Sequence, residues 1–191
     1  MIVSLKNIYK SFKNKKVFDN FSLEIGENEK VAIIGKTGVG KTTLINLILK
    51  NIEADKGQVF VTDKISVVFQ ENRLLEDFTA YENLNIICPM TKEKCEEYLS
   101  LMKLDGNADT LVKNLSGGMK RRLALLRALI YPCQLLILDE AVREIDDETR
   151  KVILDSIKLF LDKKTLIYIS HDYDDIKKLG IERVINLDEK I

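Results

Sequence analysis

Eight residues, Gly35-Lys36-Thr37-Gly38-Val39-Gly40-Lys41-Thr42, follow directly on the apolar run Val31-Ala32-Ile33-Ile34. They fit the pattern glycine, four residues, Gly-Lys-Ser/Thr, a strand-to-helix loop that binds phosphate. Glycines let the backbone curl until successive N–H groups face one anion. The helix that follows, from about Lys41, aims its positive end at the same point. In such a loop Lys41 reaches the β- and γ-phosphates, and the Thr42 hydroxyl binds Mg²⁺. The bland alternative is a glycine-rich turn with a solvated lysine; the preceding strand, the three glycines and Thr42-Thr43 weigh against it.

A loop of this kind needs a sheet and helices to hold it, and the chain has the means. Its 191 residues suit one domain with room for a small subdomain, and 46% of them are hydrophobic. Lysine plus arginine equals aspartate plus glutamate, at 30 each. That balance offers no global field to attract nucleic acid, so any anion site is local. The odd number of cysteines, Cys88, Cys95 and Cys133, argues against a disulfide framework and reads as reduced thiols in a cytosolic protein. The opening residues lack the apolar core of a signal peptide. No run of about 18 apolar residues is present, so a role at a membrane would need a partner to supply the spanning part.

The opening reads as β: Val3, Leu5 and Ile8 alternate with polar residues, and Phe18, Phe21, Leu23 and Ile25 follow a turn near Asn14. Further strands are expected at Lys30–Ile34, Gly57–Val61, Ile65–Phe69, Gln134–Leu138, Lys164–Ile169 and Arg183–Leu187. Helices are expected after the phosphate loop and at Tyr81–Ile87, Lys92–Leu104, Leu115–Ile130, Asp147–Phe160 and Tyr173–Leu179. Thr91 with Lys94 supplies only half of a capping box for the Lys92 helix. Alternating strands and helices, with near-continuous apolar strands, predict an α/β fold with a mainly parallel sheet covered on both faces.

Two more segments carry chemistry. Leu135-Leu136-Ile137-Leu138-Asp139-Glu140 is an apolar strand ending in two acids. Ligands of such folds gather at the carboxyl ends of strands. There Asp139 can hold Mg²⁺ and Glu140 can polarise a water attacking the γ-phosphate. The second segment, Leu115-Ser116-Gly117-Gly118-Met119, opens a helix with a Ser-Gly-Gly start and is a second possible anion site. Alone it would be a helix N-cap. Arg121, Arg122 and Arg127 on that helix read as a solvated face, the default for charges.

Taken in order, these segments resemble the nucleotide-binding domains of ATP-binding cassette (ABC) ATPases. The family signature Leu-Ser-Gly-Gly-Gln matches Leu115–Met119, its glutamine loop matches Val67-Val68-Phe69-Gln70, and its switch histidine matches Ile169-Ser170-His171-Asp172. The likeness covers nearly the whole chain, and four motifs in order are specific. It implies a P-loop NTPase domain over residues 1–191, with a parallel core, an N-terminal antiparallel β subdomain and a helical subdomain inserted at about 74–116. It also implies that two such domains meet head to tail around two ATP molecules. Each ATP with its Mg²⁺ lies between the phosphate loop of one subunit (Gly35, Lys36, Thr37, Gly38, Val39, Gly40, Lys41, Thr42, Thr43) and Ser116, Gly117 and Gly118 of the other. Under the resemblance Glu140 is the catalytic base, His171 contacts the γ-phosphate, and Gln70 reaches the metal and the attacking water. Thr42 and Asp139 hold the metal as well. Asp146 belongs to the loop that communicates across the dimer, and Phe12 stacks on adenine, with Tyr9 the lesser candidate.

The chain departs from the pattern at two places. Met119 stands where the family usually has glutamine, and a thioether hardly hydrogen-bonds a nucleotide held by the other subunit. Ala141-Val142-Arg143 follows Glu140, where the family usually has proline next. Three readings result. The first is the ATP-hydrolysing subunit of a transporter, peripheral on the cytoplasmic face of a membrane, paired with a second ABC subunit and driving a transmembrane permease. The Phe69–Leu84 stretch is similar to importer ATPases of the nitrate, sulfonate and taurine group. The second is a soluble family member acting outside transport, disfavoured by the single cassette and the absence of a basic arm. The third is a degenerate cassette that binds ATP and hydrolyses it weakly; Lys41, Glu140 and His171 argue against it.

Overall fold

The strand that feeds the phosphate loop lies inside a parallel sheet, and that position decides where the site forms. The structure is a computed structural model describing residues 1–13, 15–69, 71–143 and 145–189. In chain order its elements are β1 (Val3–Phe12), β2 (Lys15–Ile25), β3 (Lys30–Ile34), α1 (Lys41–Ile48), β4 (Lys56–Val61), β5 (Ile65–Val68), α2 (Ala80–Asn85), α3 (Lys92–Leu101), α4 (Gly117–Ile130), β6 (Leu135–Asp139), α5 (Asp147–Leu159), β7 (Thr165–Ile169), α6 (Tyr173–Lys178) and β8 (Arg183–Asn186). The expected strands and helices are present, with most ends trimmed by up to three residues and those at Lys56, Ala80 and Asp139 extended by one. The turn near Asn14 lies at a position outside the described residues.

β5, β6, β7, β3 and β8 form the parallel sheet in that spatial order, and β2, β1 and β4 form a separate antiparallel sheet. β7 pairs with β6 on one side and β3 on the other, with Asp139 opposite Ile169 and Ile33 opposite the same residue. Neighbouring strands lie about 4.8 Å apart. The carboxyl ends of β3, β7 and β6, which lead to Lys41, His171 and Glu140, are thereby stacked side by side although far apart in sequence.

Both faces of the central strands β6 and β7 are dry, which is why these strands are nearly apolar throughout, while the edge strand β8 exposes Arg183 and Val184. Leu135, Ile137, Ile167 and Ile169 face a core shared with α1 and the antiparallel sheet, including Leu5, Phe18, Leu44 and Ile48. Leu136, Leu138, Leu166 and Tyr168 face a second core with Leu99, Leu125, Leu126 and Ile153 from α3, α4 and α5. The alternation of strand side chains thus divides one apolar run between two cores.

Residues 74–116 carry α2 and α3, short helices held by local devices. Thr79 and Glu82 form a full capping box: the Glu82 N–H donates to Thr79 Oγ1 at 3.1 Å and the Thr79 N–H to Glu82 Oε2 at 2.7 Å. Buried Asn83 accepts from the Leu75 N–H at 2.9 Å and donates to the carbonyls of Leu75 and Thr79. Among the described residues no helix is long and apolar enough to cross a membrane.

Two expectations are corrected. β5 stops at Val68, and the Phe69 carbonyl is taken by the Arg121 guanidinium at 2.5 Å. More broadly, Arg121, Arg122 and Arg127 are not a solvated face. Arg121 also donates to the carbonyls of Asp139, Glu140 and Ala141, at 3.2, 2.9 and 3.1 Å. Arg122 donates to Met102 and Lys103, and Arg127 to Asn72 and Arg73. α4 is apolar on so much of its circumference that its arginines reach over to the carbonyls of neighbouring chain segments.

Candidate active site

The phosphate loop is built as its glycines require. Gly35 has φ 146° and Gly40 has φ 120°. A Cβ on Gly40 would come within 2.7 Å of Val17 Cγ1, and one on Gly35 within 2.9 Å of Val39 Cγ1. Both positions therefore exclude side chains by space as well as by backbone. No side chain caps the first turn of α1, whose N-cap is Gly40, so its N–H groups remain open to an anion. Lys41 Nζ folds over the loop, donating to the carbonyls of Gly35 and Lys36, the latter at 3.1 Å. The loop is anchored from outside: Lys15 Nζ donates to the Gly38 carbonyl at 2.9 Å, and the Lys36 N–H donates to Asp188 Oδ2 at 3.1 Å.

The acids and the histidine face it. Lys41 Nζ lies 3.2 Å from His171 Nε2, and His171 Nε2 lies 4.0 Å from Glu140 Oε1. Glu140 is held at φ 47°, the left-handed region, and its N–H donates to the Ile169 carbonyl at 3.0 Å. A non-glycine residue is kept there only when its surroundings dictate it, and such strain gathers at functional sites. Thr37, Lys41, Thr42, Thr43, Asp139, Glu140, Arg143 and His171 line one cleft of about 290 Å³ with Gly38 and Gly40. A wider cleft of about 640 Å³ continues from Thr37, Glu140 and His171 toward Arg150 and Asp172.

Burial pushes the Asp139 carboxyl above its ordinary range, the charge of Glu140 adds to this, and Arg121 and Lys41 oppose it. The two adjacent acids leave negative charge that a hard cation would neutralise, and a carboxylate with the Thr42 hydroxyl is a suitable oxygen donor set. Among the described residues no cluster of three or more His, Cys, Asp or Glu could hold a metal alone.

A family model described as ABC transporter matches residues 18–143. The chain is 32% identical over 185 residues to the aliphatic sulfonates import ATP-binding protein of Shouchella clausii, covering 94% of this chain and 75% of that protein. It is 32% identical over 206 residues to a spermidine/putrescine import ATP-binding protein of Mannheimia succiniciproducens, covering 97% of this chain and 55% of that one. The chain belongs to the ABC transporter family. Its fold matches that of a dimeric ATP-binding cassette solved in a post-hydrolysis state with ADP and Pi, at TM-score 0.82 and 28% identity over 97% of this chain and 94% of that one. Its function is that of the family's ATP-binding subunit, an ATPase that energises transport.

Within this ABC cassette the motif residues fall into two groups. Thr37, Gly38, Gly40, Lys41, Thr42 and Thr43 of the phosphate loop meet Asp139, Glu140 and His171 in the clefts, while Gly35, Lys36 and Val39 line neither. Ser116, Gly117, Gly118, Asp146 and Phe12 line neither of them. Ser116 caps α4, its Oγ accepting from the Met119 N–H at 3.3 Å, while a Cβ on Gly117 or Gly118 would meet open space. Met119 packs against the core beneath α4. Asp146 caps α5, and the Thr149 N–H, which donates to it at 2.9 Å, holds its carboxyl below the ordinary range. Phe12 stands exposed at the end of β1 with Lys10 Nζ 5.2 Å from its ring centre. Gln70 lies outside the described residues.

The Asp139 shift has a measurable consequence. Its pKa is raised on folding, so the stability it contributes is present below the unfolded-state value and lost as pH rises through the folded-state value. Asp139→Asn is therefore expected to melt above the parent at neutral pH without nucleotide, with the gap closing toward about pH 4. Thermal melts across pH check this; a variant less stable than the parent at every pH would overturn the assignment of burial as the dominant cause.

Proposed function

We propose that two copies of this chain, or one copy and a related cassette, close head to tail on two ATP molecules to drive a membrane permease that imports a small molecule. The reading rests on one observation above all: the signature residues Ser116, Gly117 and Gly118 are separated from the clefts that hold Lys41 and Glu140. A single chain thus has two glycine-containing helix starts, at Gly40 and at Gly117-Gly118, that it does not bring to one ligand, and a second chain in antiparallel pairing would bring them together.

In this reading Gly35, Lys36, Thr37, Gly38, Val39, Gly40, Thr42 and Thr43 receive the phosphates through backbone N–H and hydroxyl groups, and Lys41 leaves its loop carbonyls for the β- and γ-phosphates. Thr42, Asp139 and Gln70 hold Mg²⁺, which when bound supplies positive charge to the phosphate oxygens. Glu140 accepts the proton of the attacking water, and His171 donates to the γ-phosphate. Phe12 stacks on adenine, and Asp146 faces the partner subunit. The segment 74–116 acts as a subdomain that passes closure to the permease, with the chain peripheral on the cytoplasmic side. The importer assignment is supported by the names of the sulfonate and polyamine relatives.

Mixing two disabled chains tests the composite site. Lys41→Ala and Ser116→Arg are each expected to be inactive alone. Together they form a dimer with one intact site and recover roughly a quarter of parental turnover if pairing is random. No recovery on mixing, with both variants folded and pairing demonstrated by cross-linking, would sink the head-to-tail reading.

A further inference from the structure

Arg143 stands on the residue proposed to activate water. The Arg143 N–H donates to the Glu140 carbonyl at 3.1 Å, closing a turn that begins at the left-handed Glu140. That turn folds the side chain back, so that Arg143 NH1 meets Glu140 Oε2 at 2.5 Å. The pair is asymmetric: the Arg143 side chain is 62% exposed and that of Glu140 22%. The guanidinium therefore reaches in from the solvent side and can leave without opening the core. Arg143 lines the same cleft as Lys41, Thr42 and His171. One end of the cleft thus holds a permanent cation whose fork fits a carboxylate or a phosphate equally well.

A terminal phosphate carries more charge than a carboxylate and three acceptor oxygens, so within reach it is the stronger partner for a guanidinium. We propose that Arg143 is a positioning residue that senses the γ-phosphate: it holds Glu140 while the cleft lacks one, and exchanges Glu140 for the γ-phosphate when ATP binds. The exchange frees the carboxylate for water only when the nucleotide to be cleaved is present. ADP, lacking the third phosphate, leaves the pair in place. This inference rests on the proposed site above.

The test is binding, not turnover. Affinities of the full chain for a β,γ-imido ATP analogue and for ADP, each with Mg²⁺, are measured by calorimetry. Arg143→Ala is expected to weaken the analogue about tenfold or more and ADP less than about twofold, with Arg143→Lys between because it keeps the charge and loses the fork. Glu140→Gln is expected to tighten the analogue, and that gain is expected to vanish in the Glu140→Gln/Arg143→Ala double variant. Equal weakening of both nucleotides, no weakening of either, or a gain from Glu140→Gln that survives without Arg143 would each overturn the proposal. Lys41→Ala separates the layers. If it loses both nucleotides while Arg143→Ala changes nothing, the phosphate-loop reading stands and the latch falls; a parent chain that binds neither nucleotide overturns both.

Discussion

Glu140→Gln is expected to lower ATP turnover by about two to four orders of magnitude, the usual contribution of a positioned general base, while ATP binding persists. The amide is nearly isosteric with the carboxylate and cannot accept the proton of the attacking water. The backbone that places it does not depend on the side chain: the Glu140 N–H donates to Ile169 and its carbonyl accepts from Arg121. Fold and phosphate loop are therefore expected to survive the change. Because closure is proposed to need ATP and opening to need hydrolysis, the variant is expected to accumulate as an ATP-dependent dimer, visible by light scattering on a sizing column. Turnover within a few-fold of the parent would remove Glu140 from the reaction.

Arg150→Ala carries the largest expected effect on stability. Arg150 on α5 donates through one terminal nitrogen to Asp172 Oδ2 at 2.6 Å and Asp175 Oδ2 at 2.5 Å. Asp175 is 3% exposed and also accepts from the Tyr168 hydroxyl at 2.8 Å. Without the guanidinium, a buried carboxylate keeps a single neutral partner. Breaking a buried pair by removing one member costs about 3–5 kcal/mol. Arg150 Nε is itself buried without a partner, which places the expected cost toward the lower end. For a chain of this size that is a drop in Tm of roughly 6–12 °C. The same network sets the histidine. Asp172 follows His171 directly and caps α6 through the N–H groups of Asp174 and Asp175. Burial works to raise the Asp172 carboxyl, but the Asp175 N–H and Arg150 outweigh it and hold it low. Arg150→Ala is thus expected to slow turnover as well, and Arg150→Ala/Asp175→Asn to recover much of the lost stability, since no charge is then stranded. Equal melting of the single and double variants would show that the stranded carboxylate is not the source.

The local devices of the site were legible because their causes are local. Gly40 must be glycine to turn at φ 120° against Val17, and Ser116 caps the helix that its Ser-Gly-Gly context announces. The parallel strands were legible because burial on both faces leaves no polar position in Leu135–Leu138. The arginines were not legible. Nothing in the string Met119-Lys120-Arg121-Arg122 says that Arg121 will bridge the Phe69 carbonyl to those of residues 139–141. The available signal was indirect: Leu123, Leu125, Leu126 and Leu129 bury α4 on several sides and leave its charges little solvent to face. The Thr79–Glu82 capping box was readable in the same terms as the half box at Thr91, but its loop entry lacks the apolar run that usually marks a helix start.

By itself the sequence determined the chemistry of its local segments, an anion-ready loop, an acidic strand end and a second glycine-containing helix start, while His171 was marked only by the family resemblance. Those properties follow from backbone freedom, helix dipoles and strand burial within a few residues of chain. Only the tertiary structure decided which charge meets which. The order β6-β7-β3 stacks the end of β3 beside those of β6 and β7, which follow it by more than a hundred residues, and so sets Lys41 against His171 and His171 against Glu140. It also chose Arg143 for Glu140 and Arg150 for Asp175. Long cationic side chains can satisfy any acid or carbonyl within reach, and what lies within reach is set by packing, not by sequence distance.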